Sequence, residues 1–243
     1  MTSLSHVCVL AAMSAAVLGQ EAQAPRTGPP SPEEMPKRPA PVERLGPDTL
    51  RMGAVVVDTA KRQLTVPGHV NDVPVLEFVA NTKDGWKAYE SALTLETDGI
   101  TINTALVLIG LDPANASAPK AHFDPATLKG DPLDISVEWK DAAGRARRVP
   151  ARELVYNVSA KQSLPDEPWV YIGSGFNEGG YLADQMGVII SFAHTPAAII
   201  EHPSPMGIGN YGSWRLNPAL DLKGGTPVTV TIAAVKKAAQ KPR

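Results

Sequence analysis

The chain has 243 residues, 43% hydrophobic and 20% charged, enough to bury a sizeable core as one domain with accessory segments. Lysine and arginine number 23 against 25 aspartate and glutamate, and the formal net charge of -2 disfavours a protein that depends on neutralising phosphates to hold nucleic acid. The single cysteine, Cys8, excludes a disulfide within the chain and a cysteine-held iron-sulfur cluster.

Residues 1–24 read as a secretory signal peptide. A short polar start through His6 leads into an apolar segment, Val7 to Gly19, which is shorter than the ~20 residues that cross a bilayer. Ala22-Gln23-Ala24 has the small-x-small form of a cleavage site, and a cut nearer Gly19 fits as well. Cys8 lies inside this segment, so the mature chain is expected to carry no thiol. The chain is expected to be exported, periplasmic or extracellular, with no membrane span after cleavage.

Residues 25–51 read as a proline-rich linker. Eight prolines from Pro25 to Pro47, mixed with charged residues, remove the donors that helices and ladders need. Globular character is predicted for residues 52–235, with a basic frayed tail at 236–243.

Within the domain, Ala54 to Asp58 and Gln63 to Val66 read as a hairpin. Val75 to Ala80 is apolar on both faces except at Glu77, which suits a strand covered on both sides. Leu93 and Leu95 alternate with Thr94 and Glu96 in a half-buried strand. From Ile100 to Leu111 the period changes to that of a helix, with Asp98 or Thr101 as cap and Gly110 as stop, and apolar residues on both faces predict that it is mostly buried.

Ile135, Val137 and Trp139 form the cleanest half-buried strand, followed by the type I turn Asp141-Ala142-Ala143-Gly144 and an arginine-rich return. Trp169 to Ile172 is a strand, and residues 181–192 read as a hairpin about Asp184 to Gly187. Thr195-Pro196 signals a short helix over residues 197–202, and Val228, Val230 and Ile232 mark a last strand. The fold class expected is α+β: one β-rich domain, mostly antiparallel sheet packed around the buried helix, with a few short helices.

Motifs for chemistry are sparse. Residues 207–212 match GxGxxG, but Pro203 and Pro205 stand where a strand should deliver it and Pro218 arrives too soon for a helix. Gly173-Ser174-Gly175 lacks the spacing of a nucleophile elbow. No histidines form a close ligand pair, so neither metal nor cofactor is expected. Glu77, a carboxylate inside an apolar strand, is a candidate acid or base. Trp86, Lys87, Tyr89 and Glu90 are close enough to form a recognition surface in which the aromatics supply area and the charges orientation.

Glu77-Phe78, Lys87-Ala88-Tyr89-Glu90-Ser91 and Ala105 to Leu111, with the later Trp169, Gly173-Ser174 and Gly187 to Ile190, resemble the YdjY-domain family. The resemblance implies an exported bacterial protein of undetermined activity. Some members carry ferredoxin-like labels, which cannot transfer to a mature chain without cysteine. Members of the family often place histidines where Tyr89 and Asn103 stand here, a departure that counts against any histidine-dependent role, and Asn103 joins Glu77, Trp86, Lys87, Tyr89 and Glu90 as a candidate site residue.

The function expected is a non-catalytic envelope domain that binds an unknown envelope protein or a small ligand. An exported hydrolase or transferase using a carboxylate, and an accessory of an envelope redox system, are the alternatives.

Overall fold

The computed structural model describes residues 28–209 and 212–235; the expected signal peptide and basic tail lie outside them. In chain order, β1 (Val42–Arg44), β2 (Thr49–Met52), β3 (Val55–Asp58) and β4 (Gln63–Val70) form an antiparallel meander. β1 and part of β2 fall within the proline-rich stretch. β5 (Phe78–Asn81) and β6 (Ser91–Leu95) pair in parallel and lead into α1 (Gly99–Leu108). β7 (Asp131–Lys140) and β8 (Ala146–Pro150) are a hairpin about the expected turn, where Gly144 N donates to Asp141 O.

Short elements follow: β9 (Val155–Asn157), β10 (Gln162–Ser163), β11 (Trp169–Tyr171), β12 (Phe176–Asn177), β13 (Gly180–Tyr181) and the single turn of helix α2 (Leu182–Met186). The last described strands are β14 (Val188–Ser191), β15 (Ile200–Glu201), β16 (Trp214–Leu216) and β17 (Pro227–Ala234).

Eight of these strands close into a barrel in the order β4, β17, β7, β11, β15, β14, β5, β6 and back to β4. This closure overturns the expected α+β arrangement. Alternation on three adjacent strands fills the interior in rows: Val66, Val230 and Val137 stand side by side, as do Leu64, Ile232 and Ile135, and all six are buried. The seam closes at Gly68, where a Cβ would lie 2.4 Å from Thr94 O, so only glycine lets β4 approach β6 this closely.

Because the sheet buries its own inner face, the helix is not what the core is built around. α1 buries Ile102, Ala105 and Leu106 but leaves Val107 48% and Leu108 40% exposed, packing one face against β3 and α2. Its ends are well satisfied. Asp98 Oδ1 accepts from Thr101 N at 2.7 Å, and the Asp184 carboxylate accepts from Gly99 N and Ile100 N at 2.6 and 3.1 Å. At the other end Arg62 donates to the carbonyls of Ile109 and Gly110.

Two further expectations fail for one reason. Residues 181–192 are not a hairpin, because β14 finds its partners in β5 and β15 and α2 occupies the supposed turn. Residues 197–202 are not a helix: Ile199 N donates to Ile189 O and His202 N to Ser191 O, so this segment lies parallel to β14 as β15. In both places tertiary strand pairing overrides a local turn or cap signal. The strand around Leu93 and Leu95 is buried on both faces, not one.

Candidate recognition site

The site is built on the loop that joins the parallel strands β5 and β6. At the end of β5, the buried Asn81 accepts from Thr94 Oγ1 at 2.9 Å and donates to Thr82 O at 2.7 Å. Thr82 N in turn donates to Gly187 O at 2.9 Å. Gly187, at φ +72°, caps α2 so close to this loop that a Cβ on it would lie 2.6 Å from Gly85 Cα. Pinned at Gly85, the chain makes a 3₁₀ turn over Trp86–Glu90, and Ser91 Oγ donates back to Lys87 O at 2.8 Å.

This turn brings Lys87 and Glu90 together as an ion pair, with 15% and 7% of their side chains exposed. Lys87 Nζ also donates to the Tyr89 hydroxyl at 2.9 Å. It stands 4.8 Å from the Trp86 ring centroid, 5.2 Å from that of Tyr89 and 5.9 Å from that of Phe78. Burial works against its charge, but the hydrogen bonds to Glu90 and Tyr89 outweigh it, so the ammonium pKa sits above the ordinary lysine value. Tyr89 keeps 52% of its surface exposed.

Glu77 adjoins this cluster through its backbone, since Glu77 N donates to Glu90 O at 2.9 Å. Its buried carboxylate faces His122 Nε2 at 3.3 Å, and the His122 side chain is 41% exposed. The His122 and Phe78 ring centroids are 6.4 Å apart, and the Phe78 ring also lies 5.9 Å from Lys87 Nζ, so Phe78 adjoins both pairs.

Of the residues singled out from sequence, Glu77, Trp86, Lys87, Tyr89 and Glu90 therefore share one patch. Asn103 does not: it lies on α1, where its Oδ1 accepts from the Tyr171 hydroxyl at 2.7 Å. His122 is the member that sequence reasoning passed over. It arrives on the loop between α1 and β7, held where Phe123 N donates to His194 O, and no local spacing links it to Glu77.

A second polar group sits at the other parallel crossover. Glu201 is fully buried; its Oε1 accepts from Thr195 N at 2.7 Å and its Oε2 meets no hydrogen-bond donor within bonding geometry among the described residues. Burial drives its pKa well above the carboxylate range. Next to it His202, also fully buried, is pulled below the ordinary histidine value by burial. Asp184, under the helix start, is pushed up to about 6 by burial, against the bond it accepts from Gly99 N.

The remaining sequence features do not converge. Ser174, at φ +59°, donates to the carbonyl of Ala197 and has no histidine as hydrogen-bond partner among the described residues. The glycine-rich run at 207–212 is followed by β16, not a helix. A cleft of about 450 Å³ lined by Arg148, Arg152, Asp166 and Trp169 contains none of the patch residues, and its arginines are paired with Glu138, Ser136 and Asp166. Among the described residues no three histidine, cysteine, aspartate or glutamate side chains converge as metal ligands, and no helix is long and apolar enough to cross a membrane.

Together these features define a closed β-barrel domain that carries an ordered aromatic and charged patch on one crossover loop. The YdjY domain family matches residues 55–233, and the chain belongs to that family. No curated protein and no solved structure matches it.

Proposed function

We propose that the protein is an exported recognition domain of the bacterial envelope, binding a partner or small ligand through the patch of Glu77, Trp86, Lys87, Tyr89, Glu90 and His122. The observation that carries this reading is the pairing within the patch. Lys87 is matched by Glu90 and Glu77 by His122, while the Tyr89 ring stands exposed beside them. Such a surface offers aromatic area with fixed polar groups, the composition of an interface hot spot. Export rests on the apolar N-terminal segment and its small-residue cleavage motif.

A photo-crosslinking amino acid placed at position 89 in the native host, compared with one at the exposed Val158, tests the reading. Adducts at position 89 and none at 158 are expected. Equal labelling at both positions, or none at 89, overturns it.

The acid–base alternative gains one supporting observation, the 3.3 Å approach of Glu77 to His122, since a carboxylate can orient an imidazole as a base. An ester, amide or glycoside hydrolysis that is lost in His122→Asn would favour it over simple recognition.

A further inference from the structure

Lys87 is held in the way that a protein holds a cationic guest. Three aromatic rings surround its Nζ within about 6 Å, the range over which a ring face attracts a cation. Two acceptors, Glu90 Oε1 and the Tyr89 hydroxyl, take up two of its three N–H groups.

The walls are positioned by the fold. Phe78 belongs to β5 and packs on Val188 and Ala198. Trp86 and Glu90 are set by the 3₁₀ turn and by the contact of Gly85 with Gly187, and the Glu90 backbone is fixed by its bond from Glu77 N. Lys87, by contrast, reaches the cage on a flexible four-carbon stem, and the Tyr89 wall is open to solvent. With that stem withdrawn, the cage would keep its three rings and the buried Glu90 side chain.

We infer that the cage is a binding site for a primary alkylammonium group, carried by a free amine or by a lysine side chain of a partner, and that Lys87 is its built-in occupant. The inference rests on the recognition reading and supplies its chemistry. A primary ammonium is selected because Glu90 and Tyr89 each need an N–H, which a quaternary ammonium cannot give. The tethered lysine competes at a millimolar or higher effective concentration, so the apparent affinity of the native domain is lowered by the fraction of cages that stand open.

Calorimetric titration of the full domain with n-butylammonium chloride, tetramethylammonium chloride and Nα-acetyl-lysine methylamide tests this. Lys87→Ala is expected to bind n-butylammonium at least tenfold more tightly than wild type and tenfold more tightly than it binds tetramethylammonium. Adding Glu90→Gln to Lys87→Ala should abolish the binding. Preference for the lysine derivative over n-butylammonium assigns the guest to a partner's lysine, and the reverse assigns it to a free amine.

Equal affinity of wild type and Lys87→Ala, no binding by either, or binding that survives Glu90→Gln overturns the inference. Should Lys87→Ala fail to fold, wild type titrated to the solubility limit of the salt decides the matter: saturation that is lost in Tyr89→Ala supports the cage, and its absence overturns it. Crosslinking at position 89 with no amine binding in any variant would overturn the cage alone and leave the recognition surface standing.

Discussion

Between the parallel strands β5 and β6, residues 82–90 carry Lys87 and Glu90 as a matched pair that reaches the surface beside Tyr89. Between the parallel strands β14 and β15, residues 192–199 lead to Glu201 and His202, which solvent does not reach, and one Glu201 oxygen meets no hydrogen-bond donor among the described residues. The two crossovers flank the antiparallel pair of β5 and β14 and solve the same connection problem with opposite electrostatics. The first sets its carboxylate against a cation, and in the second burial raises the pKa of the carboxyl group. Only the first can offer a charged, solvent-accessible arrangement to another molecule.

The largest expected effect tests the frame that holds both crossovers. Leu93→Ala on β6 removes a fully buried side chain from the barrel and should cost about 2–5 kcal/mol in denaturant unfolding, whereas Val107→Ala on the half-exposed helix face should cost less than about 1 kcal/mol. A larger loss for Val107→Ala would restore the helix-centred picture.

Next come the two crossovers themselves. Glu90→Gln strands the Lys87 ammonium and should destabilise by about 1–2 kcal/mol, less than for a fully buried pair because water still reaches the lysine. Glu201→Gln should act in the opposite direction. The folded state holds the Glu201 proton more tightly than the unfolded state, so its contribution is fully present below about pH 4.5 and is lost as pH rises through the raised folded pKa. Urea titrations from pH 4 to pH 8 should therefore show the variant gaining on wild type as pH rises. A difference that shrinks with pH would break the contrast between the loops.

The smallest expected effect on stability is that of Tyr89→Ala, within about 0.5 kcal/mol because the ring is half exposed. A thermal melt unchanged beside lost crosslinking chemistry around the patch would separate recognition from folding.

Several elements were legible because their signals are local. The alternation of Ile135, Val137 and Trp139, the turn from Asp141 to Gly144, the hairpin of β3 and β4, and the Asp98 cap all follow from residues near one another in sequence. Closure was not legible, because it depends on Gly68 meeting Thr94 across the seam, a distance that no periodicity encodes. Thr195-Pro196 illustrates the same limit. Its helix-start signal is real chemistry that loses to the parallel pairing of β14 with β15. The patch was half legible: Trp86, Lys87, Tyr89 and Glu90 are neighbours in the chain, whereas Phe78 and His122 join them only in the fold. Asn103 was drawn in by family resemblance, and the structure gives it a separate partner in Tyr171.

The most direct test of the account is the NMR signal of the Lys87 ε-methylene in the full domain, because three rings surround the atom beside it. The account predicts proton shifts displaced upfield from those of the other lysines, moving back toward the solvent position as n-butylammonium is added. An undisplaced signal, or a displaced one that ignores the amine to saturation, would contradict it.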